Sequence, residues 1–503
     1  MRYTYRKTLA CILTLAVLLS LNISANANAP IMIYDADGLK AMANDLTASY
    51  KLGCDINLNG ESFATLGSDS ELFTGTLDGD GHTIRNIKFT DNKGRTTANL
   101  GLFAYSNGTI KNLTLSGVTY QVPSCSYLVL GALCANQVKT GKITNCAVYG
   151  DVALTADNIE YNLVVGGLVG SFYKGTIENS VSNINISYVG NNACDAGGIC
   201  ADLGGTIQNC VNFGSVNIDS KNSYANVGGI VGKLHGSVST PAKITNAINC
   251  GEITGASADT LTVGGITGNI NTSTSAGNMN GCINTGKINY TSYVNITDSS
   301  QKFGSGAIAG IYSGTSSSNY YLNTSYSVAV QKGSVAATAK TMAELRALPL
   351  DDGWYLPSDD TKVKALTSHK GITGLELIGA TSLPSGKLAI ELGAPISVKA
   401  YYDDGTNAII DGAYKTINNT NELFDTTFEY AVKNVQVSTN LATYKKGDLN
   451  RDTFITGTDA VILRNCILEE NASELDIITS DLNGDTVITI TDLKNEIDTI
   501  ING

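Results

Sequence analysis

Through the middle of this chain, apolar residues stand singly or in pairs, in short stretches cut every few positions by Gly, Asn or Asp. That is the pattern of short strands joined by tight turns. Stretches with the helical 3.6-residue period are few. One follows Asp35 as far as Leu46, with Asp35 placed to cap its first turn. A second runs from Ala336 to Leu348, and the last two follow Asp459 and Asp492 near the C-terminus.

The strand-rich region is a repeat. One phrase reads Gly166-Gly-Leu-Val-Gly170, Gly197-Gly-Ile-Cys-Ala201, Gly228-Gly-Ile-Val-Gly232 and Gly264-Gly-Ile-Thr-Gly268, with looser copies at Gly131 and Gly306. A second reads Thr109-Ile-Lys-Asn112, Lys142-Ile-Thr-Asn145, Thr176-Ile-Glu-Asn179, Thr206-Ile-Gln-Asn209 and Lys243-Ile-Thr-Asn246, its isoleucines 30 to 37 residues apart. A unit of this length cannot close a core alone, but it can stack its strands on those of its neighbours. The expected fold is therefore mainly β, a right-handed parallel β-helix. The Asn after each Ile then falls at one corner of every turn, where it tolerates a left-handed backbone and can bond up the stack. Cys146, Cys210 and Cys282 fall on alternate turns, as do Cys134 and Cys200. Two strand spacings, about 9.5 Å, are too far for either set to pair internally.

The strands at Gly53-Cys-Asp-Ile-Asn-Leu58 and Phe73-Thr-Gly-Thr-Leu-Asp78, with the Gly-Gly-Leu-Val-Gly phrase, resemble the GLUG-motif family of bacterial surface and secreted proteins. The resemblance covers residues 30–370 and implies a β-helix with end caps but no reaction. Residues 371–443 turn to strict alternation at Lys387–Leu392, Ile396–Ala400 and Phe428–Val432, with Asp404-Gly405 as a hairpin turn. They resemble bacterial Ig-like modules that carry a Tyr-x-Asp-Gly-Thr phrase, here Tyr402 to Thr406, and the implied role is a spacer.

The tail, 444–503, carries the sharpest chemical pattern. Asp448-Leu-Asn-Arg-Asp-Thr-Phe-Ile-Thr-Gly-Thr-Asp459 recurs 33 residues later as Asp481-Leu-Asn-Gly-Asp-Thr-Val-Ile-Thr-Ile-Thr-Asp492. A calcium loop needs hard oxygen donors at positions 1, 3, 5, 7, 9 and 12. The first copy offers Asp448, Asn450, Asp452, the Phe454 carbonyl, Thr456 and Asp459. The second offers Asp481, Asn483, Asp485, the Val487 carbonyl, Thr489 and Asp492, so two calcium ions are expected. Position 6, usually Gly, is Thr453 and Thr486, and a β-branched residue strains a positive-φ turn. Each loop runs into a helix, and neither has a clear entering helix. Paired units of this kind resemble type I dockerins, which implies a partner: the cohesin module of a scaffoldin. By that resemblance the contacts fall on Gly457, Thr458, Arg464 and Asn465 in one copy and on Ile490, Thr491, Ile497 and Asp498 in the other.

Composition narrows the rest. Arg2, Arg6 and Lys7 precede an apolar run to Ile23 and a small-residue stretch ending at Ala29, which reads as a secretory signal over residues 1–29 and places the protein outside the cell. No later apolar run is long enough to span a bilayer. The formal net charge of −12 disfavours nucleic acid. The chain has 11 Cys and no C-x-x-C pair, so the solenoid thiols are expected to act as small buried hydrophobes. Enzymatic residues are hard to find. There is no Arg between Arg95 and Arg346, and the three histidines, His82, His235 and His369, lie far apart. Asp195 and Asp202 read as solvated turn residues, and Asp78-Gly-Asp-Gly-His82 as a β-turn. No catalytic set is assigned. Two functions follow: a dockerin-bearing component of a cellulosome-like complex whose β-helix binds polysaccharide or a surface, or a β-helix polysaccharide lyase or glycoside hydrolase delivered by the same tag.

Overall fold

The structure is a computed structural model that describes residues 29–90, 96–155, 159–236, 240–270, 277–293, 303–383, 388–391, 397–410, 414–419, 425–450, 454–469, 474–485 and 487–502. The expected secretory signal lies outside them, apart from its last residue.

Each repeat contributes one turn of a β-solenoid. A representative turn runs through strands Lys142–Thr144, Ala147–Thr155, Ile159–Gly166 and Val169–Phe172, and the chain then returns to the first face at Thr176–Glu178. Stacked turns build sheets of ten, fifteen, seven and eight strands. The repeat phrases coincide with the stacking register. Ile110, Ile143, Ile177, Ile207 and Ile244 pair in sequence up one face, and Gly131, Gly166, Gly197, Gly228, Gly264 and Gly306 up another. The isoleucines point inward and are fully buried.

The second glycine of each Gly-Gly phrase is required by a column of polar side chains across the core. A Cβ on Gly198, Gly229 or Gly265 would lie 2.3 Å from the Cγ of Asn212, Asn249 or Asn284 respectively. These three asparagines are buried. Asn212 Nδ2 donates to Asn249 Oδ1 at 2.9 Å and Asn249 Nδ2 to Asn284 Oδ1 at 2.8 Å. Each also donates to the carbonyl two residues on, at Gly214, Gly251 and Gly286. A buried amide chain satisfied in this way rigidifies the stack.

The corner asparagines behave as expected. Asn86, Asn112, Asn145, Asn179, Asn209 and Asn246 all sit at φ between 50° and 55°. Their ladder is interrupted: Asn145 donates to Asn112 at 2.8 Å and Asn112 to Asp78 at 2.9 Å, and Asn209 to Asn179 at 3.2 Å, but among the described residues Asn145 Oδ1 has no partner. Residues 78–82 form the expected turn, with His82 N–H donating to the Gly79 carbonyl at 2.8 Å. The cysteines fall as the repeat spacing requires. Cys134 and Cys200 flank Val169 in one column. Cys54, Cys134, Cys146, Cys194, Cys200, Cys210, Cys250 and Cys282 are all free thiols.

Near the N-terminus of the stack, α1 (Ala36–Ala41) is capped by Asp35, whose Oδ1 accepts from Gly38 N–H at 2.7 Å, and it buries Leu39. The helix expected over 336–348 is shorter than that. Ala337–Lys340 adds another parallel strand against Asn319–Leu322, and only Met342–Arg346 (α2) is helical, opened by a Thr341–Glu344 capping box. Leu345 then joins Trp354, Val363 and Leu366 over an outward apolar column of Ala147, Val181, Val211, Ile248 and Ile283. The segment after the last turn therefore straps the side of the stack.

Residues 372–444 form a three-stranded and a five-stranded sheet around Leu377, Ile390, Val398, Tyr430 and Val432. Gly405, at φ 83°, turns the expected hairpin between Ser397–Tyr402 and Asn407–Ile410. This module meets the solenoid where the Arg85 guanidinium reaches the Lys433 carbonyl, and just ahead of it His369 Nε2 lies 3.0 Å from the Asn179 carbonyl.

Asp195 departs from its sequence reading. It lies inside strand Ala193–Gly197 and is 3% exposed. Its Oδ1 accepts from Asn226 Nδ2 at 2.7 Å, and Asn226 Oδ1 in turn accepts from Thr262 and Asn269. Asp202, one strand on, pairs with His235 at 2.5 Å and keeps some exposure. Burial pushes the Asp195 carboxyl up to about 6, against the pull of the Asn226 bond and of Lys233, with Asp202 adding to the rise.

Two predictions follow from this seam and ladder. Asn249→Ala leaves Asn284 Oδ1 and the Gly251 carbonyl unpaired in the core, and should lower the solenoid's unfolding free energy by about 2–4 kcal/mol in denaturant titrations. Folded Asp195 holds its proton to a higher pH than an unfolded carboxyl does, so its stabilising effect is present in acid and is lost as pH rises from about 4 to about 6. Asp195→Asn should accordingly raise stability at pH 7.5 by about 2 kcal/mol and change it little at pH 3.5. Equal effects at the two pH values would contradict this.

Candidate functional site

The two calcium-type loops lead into α3 (Gly457–Glu469) and α5 (Ile490–Asn502). Between them lies α4 (Glu474–Ser480), which the sequence reading missed. It enters the second loop, with Asp481 N–H donating to the Ile477 carbonyl at 3.0 Å. Asp452 and both position-6 threonines, Thr453 and Thr486, lie outside the described residues.

The loops are built alike around their position-12 aspartates, both fully buried. Asp459 Oδ1 accepts from Leu449 and Asn450 N–H at 2.9 and 3.0 Å, and Oδ2 from Thr456 N–H at 2.8 Å. Asp492 repeats the set with Leu482 and Asn483 at 3.0 and 3.3 Å and Thr489 at 2.9 Å. One carboxylate thus staples the start of the loop to the first turn of the exit helix, where a negative charge is also favoured by the helix dipole. In the second loop Asp481 Oδ1 accepts from Gly484 and Asp485 N–H at 2.7 and 3.1 Å, and Asp485 Oδ1 from Val487 N–H at 2.9 Å. The left-handed residue there is Gly484, at φ 76° and loop position 4, which supplies a tight turn ahead of position 6.

These bonds fix side-chain oxygens at positions 1, 5 and 12 of the second loop and at position 12 of the first. The donor set is all oxygen: carboxylates, side-chain amides, hydroxyls and backbone carbonyls. That is the chemistry of a hard divalent cation such as calcium, and nitrogen or thiolate ligands for zinc are missing from the set. The residues fit calcium. Ile455 and Ile488, at position 8 of the loops, are half-buried.

Of the residues assigned to partner contact, Gly457, Thr458, Arg464, Ile490, Thr491, Ile497 and Asp498 are exposed and Asn465 is half-exposed. Sequence reasoning missed the apolar residues that extend the same surfaces. Val461 and Leu468 on α3 are 51% and 70% exposed, and Ile501 on α5, where the assigned Ile490 is 70% exposed, is 71% exposed. Their helical spacing was the available signal. It also missed Glu496, which is fully buried on α5.

On the solenoid, Tyr320, Tyr321 and Tyr326 do not form an open aromatic face. Tyr321 is buried, Tyr320 lies under Lys340, and the Tyr326 hydroxyl bonds Ser305 at 2.7 Å. Exposed rings stand elsewhere, among them Tyr127 and Tyr161, which lie on adjacent turns 5.6 Å apart between centroids and are 44% and 54% exposed.

The chain is similar to known proteins in sequence and in structure. Over 159 residues the chain is 33% identical to halomucin of Haloquadratum walsbyi, a match that covers 28% of this chain and 2% of that protein. The chain thus spans about 2% of that relative's length. Among solved structures it is similar to a candidate immunoglobulin A1 protease from Bacteroides ovatus, at 20% identity and a TM-score of 0.46 over 68% of this chain and 94% of that one. A second, described as an IgA1 protease, matches at 13% identity and a TM-score of 0.36 over 81% of this chain and 34% of that one. No helix among the described residues is long and apolar enough to cross a membrane. Residues 446–497 match the dockerin type I domain, a calcium-binding module whose partner is a cohesin, so the twin-loop tail of this β-solenoid protein is a type I dockerin.

Proposed function

We propose that this protein is an exported component of a cellulosome-like complex, held there by calcium-dependent docking of its C-terminal domain to a scaffoldin cohesin, and that its GLUG-type β-helix binds polysaccharide. The secretory signal over residues 1–29 supports export. The observation that carries the reading is the duplicated staple of Asp459 and Asp492, which ties the start of each loop to its exit helix by the same set of bonds. On this reading both loops hold a calcium ion. Asp448, Asn450, Asp452, Phe454, Thr456 and Asp459 would hold one, and Asp481, Asn483, Asp485, Val487, Thr489 and Asp492 the other. The ions neutralise the acidic loops, while the exposed faces of α3 and α5 remain free for a partner. Those faces present Gly457, Thr458, Arg464 and Asn465, then Ile490, Thr491, Ile497 and Asp498, each beside exposed aliphatic side chains.

Support for carbohydrate binding comes from the Tyr127–Tyr161 pair, since flat exposed rings on neighbouring turns offer stacking faces to a sugar chain. Asp195, the most perturbed carboxyl of the solenoid, is buried and bonded within the protein.

Calorimetric titration of the chain with calcium should show two ions bound, and Asp492→Ala should remove one of them. Absence of any calcium heat would sink the docking reading. In affinity gels containing pectin, xylan or starch, one polysaccharide should retard the wild-type chain, and Tyr127→Ala/Tyr161→Ala should run at least threefold less retarded with no new reducing ends formed. Rapid appearance of reducing ends or unsaturated products would instead establish a hydrolase or lyase.

A further inference from the structure

The two loop-helix units repeat with a 33-residue offset, which pairs Leu463 of α3 with Glu496 of α5 and Gly447 with Ser480. Leu463 and Glu496 are both 0% exposed. A carboxylate therefore occupies the core position that its twin fills with leucine. Among the described residues neither Glu496 oxygen has a hydrogen-bond partner. The carboxylate lies against Gly447, where a Cβ would come within 3.0 and 3.3 Å of its two oxygens, so the absent side chain at Gly447 makes the room for it. Gly447 immediately precedes Asp448, position 1 of the first loop. Burial, with the charges of Asp459 and Asp448 adding to it, pushes the Glu496 carboxyl up to about 7.

Burying a carboxylate without a partner is strongly unfavourable. A small domain keeps one only where something compensates it, and among the described residues the two charges that raise its pKa, Asp459 and Asp448, belong to the first loop.

We infer that Glu496 is part of the first calcium site's charge set: delivered from the opposite unit, it stands behind Asp448 and Asp459 and makes the dockerin's fold depend on a divalent cation at that loop more than at the second. The inference rests on the calcium reading of the loops. Without the cation, three acidic groups crowd one buried corner. With it, Glu496 gains an opposite charge that no protein group among the described residues supplies. Leu463, which fills the equivalent position of the other unit, carries no charge, so the two sites are unequal by construction.

The test uses the chain purified metal-free, with Glu496→Gln, Glu496→Leu and, to identify the second site, Asp485→Asn. Calcium titration reports both sites, and amide hydrogen exchange of residues 446–502 without metal reports the fold. Glu496→Gln should weaken the tighter site about tenfold, the effect of losing one charge near a divalent ion. Asp485→Asn should weaken only the other site. Glu496→Leu should raise metal-free protection across α3 and α5 several-fold. If Glu496→Leu does not fold, Glu496→Gln decides alone. Unchanged calcium constants and unchanged metal-free exchange in Glu496→Gln would overturn the inference while leaving the loops as calcium sites. A wild-type chain that binds no calcium would overturn both.

Discussion

Register is the constraint on which the solenoid depends. Every turn must repeat its predecessor at the same backbone position, because a one-residue slip would send the inward Ile column to the outside. The protein fixes register with groups that cannot move independently: the Gly-Gly crease, where side chains would collide with neighbouring turns, and the Asn212–Asn249–Asn284 chain that fills the space the second glycine leaves. The glycines need the asparagines for hydrogen-bonded packing, and the asparagines need the glycines for room. With that crease fixed, the corner asparagines can all take the same left-handed conformation, and the aliphatic columns stack.

The same rigidity limits what the solenoid can do. Polar side chains are placed in it mainly to bond to neighbouring turns, as with Asp195, Asn226, Thr262 and Asn269. The dockerin, by contrast, is a small domain in which two carboxylates, Asp459 and Asp492, hold loop to helix, and among its described residues the buried apolar side chains are few, Leu449 and Leu463. It gains stability from a bound ion by mass action, which makes it suited to a reversible connection.

Much of this was legible in the sequence because repeats make their own alignment: phrases that match in the text pair in space, as the Ile and Gly columns do. The oxygen spacing of the tail was equally readable. What escaped were features that depend on the third dimension. The buried asparagines carry a visible Asn-x-Gly repeat at 212–214, 249–251 and 284–286, but only the fold shows that they cross to the Gly-Gly phrase. Asp195 looked solvated because two glycines follow it, yet tertiary packing encloses it. The 336–348 stretch has helical spacing, but strand pairing captured its first half because an open sheet edge was available beside Asn319–Leu322. Glu496 reads as a polar helix position until its twin, Leu463, shows it to be core.

The central claim is that the acidic twin-loop domain connects this protein to a partner through calcium. Its most direct measurement is co-elution of the chain with a cohesin module on size exclusion, in calcium and then in excess chelator. A one-to-one complex that forms in calcium and separates in chelator is the predicted result. A complex indifferent to chelator, or no complex with any of a panel of cohesins while calcium is bound, would contradict it.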